Sequence, residues 1–173
     1  APATDSLPGG SALSGGTAVG PGSHSVPRDD GRTLIPVGGG SNIVEVFDPS
    51  VDPPVFGAFE SWPLGIGDGA HSFRIKGGPN DGFYLVVTAG GTPETLLYEP
   101  AGGAANIGPS LSGSAGTGSS ALYLDTGPEA GSYLIAHGNG SATTTLFDPV
   151  DWTMSPGPDF PVVVSNNTII PLD

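Results

Sequence analysis

The sequence predicts an all-β protein built from four-stranded antiparallel sheets. Short runs of β-branched, aromatic and aliphatic residues recur along the chain. Glycine or proline interrupts nearly every window of ten residues, which leaves no room for a helix of any length. One pattern of landmarks also occurs three times at nearly constant spacing. The 30 glycines and 19 prolines in 173 residues resemble a disordered composition, but 36% hydrophobic and only 12% charged residues favour a folded domain.

The strongest signal is an internal repeat. Segments 31–49, 82–100 and 131–149 align without a gap, and each reads Gly, two residues, Leu, five residues, Gly, six residues, aromatic, acid, Pro. A shorter landmark, Gly-x-Gly followed by small or polar residues, precedes each segment. Two landmarks with one period indicate a repeated structural unit. The framework glycines and prolines are Gly31, Gly40, Pro49, Gly82, Gly91, Pro100, Gly131, Gly140 and Pro149.

Each repeat is expected to supply four strands, named a to d. Strand a ends at a glycine turn, where Asp30-Gly31 and Asp81-Gly82 are hairpin signals because both residues tolerate a positive φ. Strand b is apolar on both faces, as expected between neighbouring sheets, and proline ends strand c because it cannot donate to a ladder. Strands a begin near residues 23, 70 and 119, strands b are predicted at 33–37, 84–88 and 133–137, strands c at 43–47, 95–98 and 144–147, and strands d near 56–62, 105–111 and 152–160.

This unit resembles the kelch repeat of β-propellers, in its bacterial and galactose-oxidase-like form. The resemblance implies three blades at about residues 20–64, 67–111 and 116–160. The terminal segments 1–16 and 161–173 would complete neighbouring blades, so that the chain forms one partial propeller of about three and a half blades. Because propellers close with roughly 4–8 blades, two faces would be left without a neighbour.

Charge and composition exclude several function classes. Four basic and seventeen acidic residues give a net charge of −13, which disfavours nucleic acid and anionic membranes as partners. The absence of cysteine excludes disulfides, thiolate metal sites and the Tyr-Cys copper cofactor that the galactose-oxidase-like resemblance would otherwise imply. No phosphate-binding loop, nucleophile elbow or zincin motif occurs, and the acidic residues of the repeat have a turn or capping role: Asp30, Asp81, Asp48, Glu99 and Asp148. We therefore expect no enzymatic activity and no cofactor.

Two pairs of residues are candidate sites. His24 and His71 occupy equivalent positions on strand a, which lines the axial channel of a propeller. Together they could bind a transition metal, but we favour hydrogen bonding within a repeated strand environment because the third repeat has Ser120 there. Asn139 and Asn166 begin candidate glycosylation sequons. The sequons, together with a chain that opens Ala-Pro-Ala as a mature secreted protein would, predict an extracellular or cell-surface location.

The function expected from these observations is that of a non-enzymatic structural or interaction module. Its partner would be a second copy, in a ring or a filament, or the remainder of a larger propeller. The alternative is a carbohydrate-binding propeller in which aromatic rings stack on sugar faces, although we favour the inter-blade core as the location of those rings. The aromatic residues concerned are Trp62, Trp152, Phe56 and Phe59.

Overall fold

A computed structural model describes residues 19–51, 55–57 and 60–161. The described residues form thirteen β-strands and no helix, which confirms the all-β prediction. No helix capable of spanning a membrane was found among them. The predicted terminal strand at 1–16, nearly all of the one at 161–173, Phe59 and Asn166 lie outside the described residues.

The strands form three antiparallel sheets in chain order, and each sheet corresponds to one repeat. The first sheet has five strands, and the second and third have four each. The first sheet contains β1 (Val26–Pro27), β2 (Thr33–Pro36), β3 (Ser41–Asp48), β4 (Val55–Phe56) and β5 (Glu60–Ile66). The second contains β6 (His71–Arg74), β7 (Tyr84–Val87), β8 (Thr95–Tyr98) and β9 (Ala105–Ile107), and the third contains β10 (Ser120–Tyr123), β11 (Tyr133–Ala136), β12 (Thr144–Asp148) and β13 (Thr153–Pro156).

Strands b and c pair in the same register in every sheet. The repeated leucine of strand b lies opposite the residue before the repeated aromatic of strand c, as in Leu34 opposite Val46. The other two sheets have the equivalent pairs Leu85–Leu97 and Leu134–Leu146. Strand d lies within the predicted ranges in the second and third sheets but is shorter than predicted, and the first sheet divides it into β4 and β5, both paired with β3.

The turn between strands b and c has one backbone conformation in all three sheets. Three consecutive residues take positive φ values, at 38–40, 89–91 and 138–140. Ala89 (φ 51°) and Asn139 (φ 54°) are the non-glycine members of these turns. Because a positive φ is unfavourable for residues with a Cβ, this requirement explains why the repeat contains glycine clusters.

The turn between strands a and b differs from the expected Asp-Gly geometry. Gly31 (φ 84°) and Gly82 (φ 86°) have positive φ values, whereas the preceding Asp30 and Asp81 do not. In the first sheet the Gly31 amide donates to the Arg28 carbonyl at 3.2 Å, which closes a turn ahead of the left-handed glycine. This arrangement is typical of the three-residue hairpin with a glycine bulge rather than of the two-residue turn.

The acid-proline pair acts as a cap on strand c. Asp48 accepts a hydrogen bond from the Ser50 amide at 2.9 Å, and Asp148 accepts one from the Val150 amide at 2.8 Å. Aspartate side chains commonly bind backbone amides two residues further on in this way. The carboxylates therefore order the turn that leads into strand d.

The three sheets stack face to face and enclose two apolar cores. We call the face that carries Leu34, Leu85 or Leu134 the forward face of its sheet, and the opposite face the reverse face. The first core joins the forward face of the first sheet to the reverse face of the second, for example Leu34 to Val86. The second core repeats this arrangement one sheet further on. We call these two contacts the first seam and the second seam.

Candidate functional site

The forward face of the third sheet bears the same apolar residues as the two forward faces that are buried in seams. Leu34 and Leu85 are 0% exposed, whereas their equivalent Leu134 is half-buried. Leu122 and Leu146, its cross-strand neighbours, are also half-buried. No further described sheet packs on these three leucines. The third sheet therefore presents an apolar row where the first two sheets form a seam.

The reverse face of the first sheet shows the complementary pattern. Val86 and Ile135 are 0% exposed on the reverse faces of the second and third sheets, whereas their equivalent Ile35 is half-buried. Phe47 is also half-buried, and its ring lies 5.3 Å from that of Phe56 on the same face. This face also carries a departure from the repeat, since Glu45, which is buried, replaces the apolar or hydroxyl residue of the other sheets.

We call these two surfaces the forward end face (Leu122, Leu134 and Leu146) and the reverse end face (Ile35, Phe47 and Phe56). Apart from Glu45 on the reverse face, each has the residue types that one side of a seam has in this protein. A forward face packs on a reverse face in both seams. The sequence repeat contained both sets, but their role depends on which face of the sheet each residue occupies.

A glycine ladder fixes the approach of neighbouring sheets beside the first strand of each sheet. A Cβ placed on Gly22 would lie 1.8 Å from the Gly67 carbonyl oxygen, and one placed on Gly69 would lie 2.0 Å from that of Gly116. Both glycines also have positive φ. Backbone is thus packed directly against backbone at this position, and no side chain larger than hydrogen fits.

The second seam is also joined by a buried phenol. Tyr133 in the third sheet donates to the Arg74 carbonyl at 2.8 Å and accepts from the Lys76 amide at 2.9 Å. Tyr98, in the first seam, lies on strand c rather than strand b and is not the equivalent of Tyr133; its hydroxyl is buried and has no hydrogen-bond partner. Burial raises the pKa of Tyr98 to about 12. The second seam therefore contains a phenol that makes two hydrogen bonds, whereas the phenol of Tyr98 in the first seam makes none.

These two tyrosines provide a matched prediction. Tyr133→Phe is expected to lower the free energy of unfolding by about 1–3 kcal/mol because it removes two part-buried hydrogen bonds, each worth about 0.5–1.5 kcal/mol. Tyr98→Phe is expected to be neutral or slightly stabilising because it removes an unpaired hydroxyl, and phenylalanine already occupies the equivalent position 147. Urea unfolding of both variants measures the difference. Equal losses of stability would contradict this assignment of the hydroxyls.

The two predicted histidines have the same local geometry. The Nδ1 atom of His24 lies 2.9 Å from the Gly22 carbonyl, and that of His71 lies 3.3 Å from the Gly69 carbonyl. The Nε2 atoms of both rings, and the Ser120 hydroxyl at the equivalent position, are buried without a partner. His71 lies opposite Val87 of the second core, so it belongs to the forward face and the second seam. In both rings, therefore, Nδ1 lies within hydrogen-bonding distance of a backbone carbonyl and Nε2 has no partner.

Acid is expected to destabilise the protein through these rings. Burial lowers the pKa of His71 to about 4, and the nearby His24 lowers it further, against the opposing effect of the Gly69 carbonyl. Unfolded histidine binds a proton near pH 6.5, so the unfolded state binds more protons than the folded state between pH 6.5 and 4. The His71 ring should not lower the free energy of unfolding above pH 6.5, and it should lower it by on the order of 3 kcal/mol as the pH falls to 4. Denaturant unfolding at several pH values gives the free energy of unfolding as a function of pH. His71→Ser should make this free energy depend less steeply on pH, and an unchanged pH dependence would contradict the prediction.

The other candidate residues are placed as follows. Trp62 is 2% exposed and stacks in the first core 5.8 Å from Tyr98, so it is not available to a sugar at the surface, in line with the core location that we favoured. Trp152 packs edge-on against Phe147 at 5.3 Å.

Asn139 is exposed at the b–c turn of the third sheet, and its glycosylation stays a prediction. Within the described ranges, no group of three or more His, Asp or Glu side chains is arranged to hold a metal ion.

No protein-family model matches this chain, and no curated protein is similar to it in sequence. The functional conclusion therefore rests on the geometry of the two end faces.

Proposed function

We propose that this protein is a non-enzymatic, self-assembling module whose copies stack head to tail through their end faces. The observation that carries the proposal is the change in burial at equivalent positions. Leu134 and Ile35 are half-buried, whereas Leu34, Leu85, Val86 and Ile135 are 0% exposed within the seams. Joining a forward end face to a reverse end face would repeat the seam once more, using a type of contact that the chain already makes twice.

The polarity of this contact decides what kind of assembly forms. Two different surfaces meet, so the contact is heterologous, and such contacts give rings when the rotation closes and filaments when it does not. The kelch-like resemblance favours a ring of blades, formed by two copies or with the remainder of a longer propeller. An extracellular location remains part of the proposal and is supported by the sequons.

Charge should set the conditions for assembly. Each copy adds a net charge of −13, so copies repel one another at long range, and salt at 0.1 M ionic strength screens this repulsion beyond about 10 Å. The pure protein should therefore sediment as an oligomer or filament at micromolar concentration in moderate salt and dissociate partly in low salt. A soluble monomer at all salt concentrations in sedimentation velocity would overturn the proposal.

A further inference from the structure

The first seam has polar groups where the second is apolar. Arg28 follows strand β1 as Ile75 follows strand β6, and Ile75 is 1% exposed in the second core. Tyr98 likewise replaces Phe147. Since the second seam shows that the fold accepts apolar residues at both positions, the polar residues of the first seam are not required by the packing of the sheets.

The scarce positive charges of the chain converge on this region. The sequence has only four basic residues, and three of them are paired with carboxylates beside the first seam. The Arg28 Nη1 atom lies 2.8 Å from the Glu60 carboxylate, and Arg28 Nε lies 3.3 Å from Asp30. Arg32 Nε donates to Asp30 at 2.9 Å. Arginine and carboxylate groups therefore alternate along the rim of this seam.

A cavity of about 170 Å³ opens beside these pairs. Glu60 belongs both to its lining and to the Arg28 pair, and Val46 belongs both to its lining and to the first core. The cavity therefore lies between the paired charges and the apolar side chains of the first core. We call this cavity the rim cleft, and its lining residues are Arg32, Val46, Asp48, Val55, Gly57 and Glu60.

We propose that the rim cleft binds a single ring of a neutral sugar. Its polar side chains present both donors, from Arg32, and acceptors, from Asp48 and Glu60, and this combination matches the hydroxyl groups of a sugar. The two arginines and three carboxylates nearby leave no excess positive charge for an anion. The cavity is smaller than the roughly 300–1,000 Å³ of drug-sized pockets, which limits the ligand to a small molecule.

The test is calorimetric titration of the whole protein with glucose, galactose, mannose and N-acetylglucosamine, and with glucuronate as a charged probe. At least one neutral sugar should bind saturably with a dissociation constant near the millimolar range, and glucuronate should bind more weakly than glucose. Arg32→Ala and Glu60→Gln should each weaken binding about tenfold or more. Arg74→Ala removes an exposed arginine of the same network that does not line the cleft, and it should leave binding unchanged.

Several results would overturn the proposal. They are the absence of saturable binding for every neutral sugar, tighter binding of glucuronate than of glucose, and an equal loss of affinity in Arg32→Ala and Arg74→Ala. Leu134 lies in the third sheet and does not line the cleft, which belongs to the first sheet, so Leu134→Lys should retain sugar binding. Sugar binding and self-assembly can therefore fail independently.

Discussion

Leu134→Lys is expected to convert the assembled protein into a folded monomer. The lysine would place an unpaired ammonium group in the apolar contact between the forward end face of one copy and the reverse end face of the next. Burying an unpaired charge in an interface typically costs about 2–5 kcal/mol, which corresponds to a loss of affinity of roughly thirtyfold or more. Ile35→Glu should have the same effect from the reverse end face.

Mixing the two variants tests the polarity of the contact. Leu134→Lys keeps an intact reverse end face, and Ile35→Glu keeps an intact forward end face. One undamaged junction can therefore form between them. If the contact is heterologous, an equimolar mixture should give 1:1 dimers in sedimentation velocity, although each variant alone is monomeric.

Val150→Lys is the matched control because it introduces the same charge at an apolar residue that is 65% exposed in a turn. This variant should assemble like the unmodified protein. Far-ultraviolet circular dichroism should show that all three variants keep their β-structure. Assembly that survives both end-face substitutions would rule out the proposed contact.

Gly69→Ala is expected to disrupt the second seam. Its new methyl group would lie 2.0 Å from the Gly116 carbonyl oxygen and 2.7 Å from the Thr117 amide nitrogen. Neither backbone atom can move without shifting the third sheet. The positive φ of 86° adds its own strain of about 1–2 kcal/mol, and overpacking of this kind adds about 1–3 kcal/mol. The total expected loss of stability is about 2–5 kcal/mol.

Gly91→Ala separates these two causes. Gly91 has nearly the same φ of 88°, but a methyl group there would meet nothing within 4 Å. This variant should therefore lose only the conformational part, about 1–2 kcal/mol. Comparing the urea midpoints of the two variants measures the cost of the close approach between sheets. If the midpoints were equal, the glycine ladder would not hold the seam.

Strands b and c could be predicted from the sequence because local chemistry alone determines them. Strand b of the second repeat was predicted at 84–88 from its aromatic and β-branched residues, and the observed strand, Tyr84–Val87, is one residue shorter. Pro49 stops strand c as expected, immediately after Asp48. Such signals depend on neighbours in the chain, so a single sequence contains them.

Strand d and the a–b turns were less predictable because packing between sheets decides them. In the first sheet, strand β5 extends to Ile66 so that the 0%-exposed Ile66 can join the first core. In the a–b turn, Gly31 adopts positive φ while Asp30 binds the backbone and side chain of Arg32, a contact that the Asp-Gly pattern does not specify. Both outcomes depend on residues far from the local pattern.

Of the two candidate sites, the end faces could be predicted from the sequence and the rim cleft could not. The repeat predicted that the outer sheets lack neighbours, and strand alternation then identifies Leu134 and Ile35 as members of the two end faces. The rim cleft had no signal in the sequence, because Arg28 and Glu60 are 32 residues apart and meet only when β5 pairs with β3. Only the stacked sheets bring such groups together.

The two cores have a consequence for how long such a protein can be. Neither core contains residues from all three sheets, so each sheet depends only on the one before it and the one after it. Stability in such an array is approximately a sum of terms within units and between adjacent units. Neither core among the described residues fixes the number of repeats. A gene could therefore gain or lose one whole repeat and leave the contacts between the remaining adjacent sheets intact.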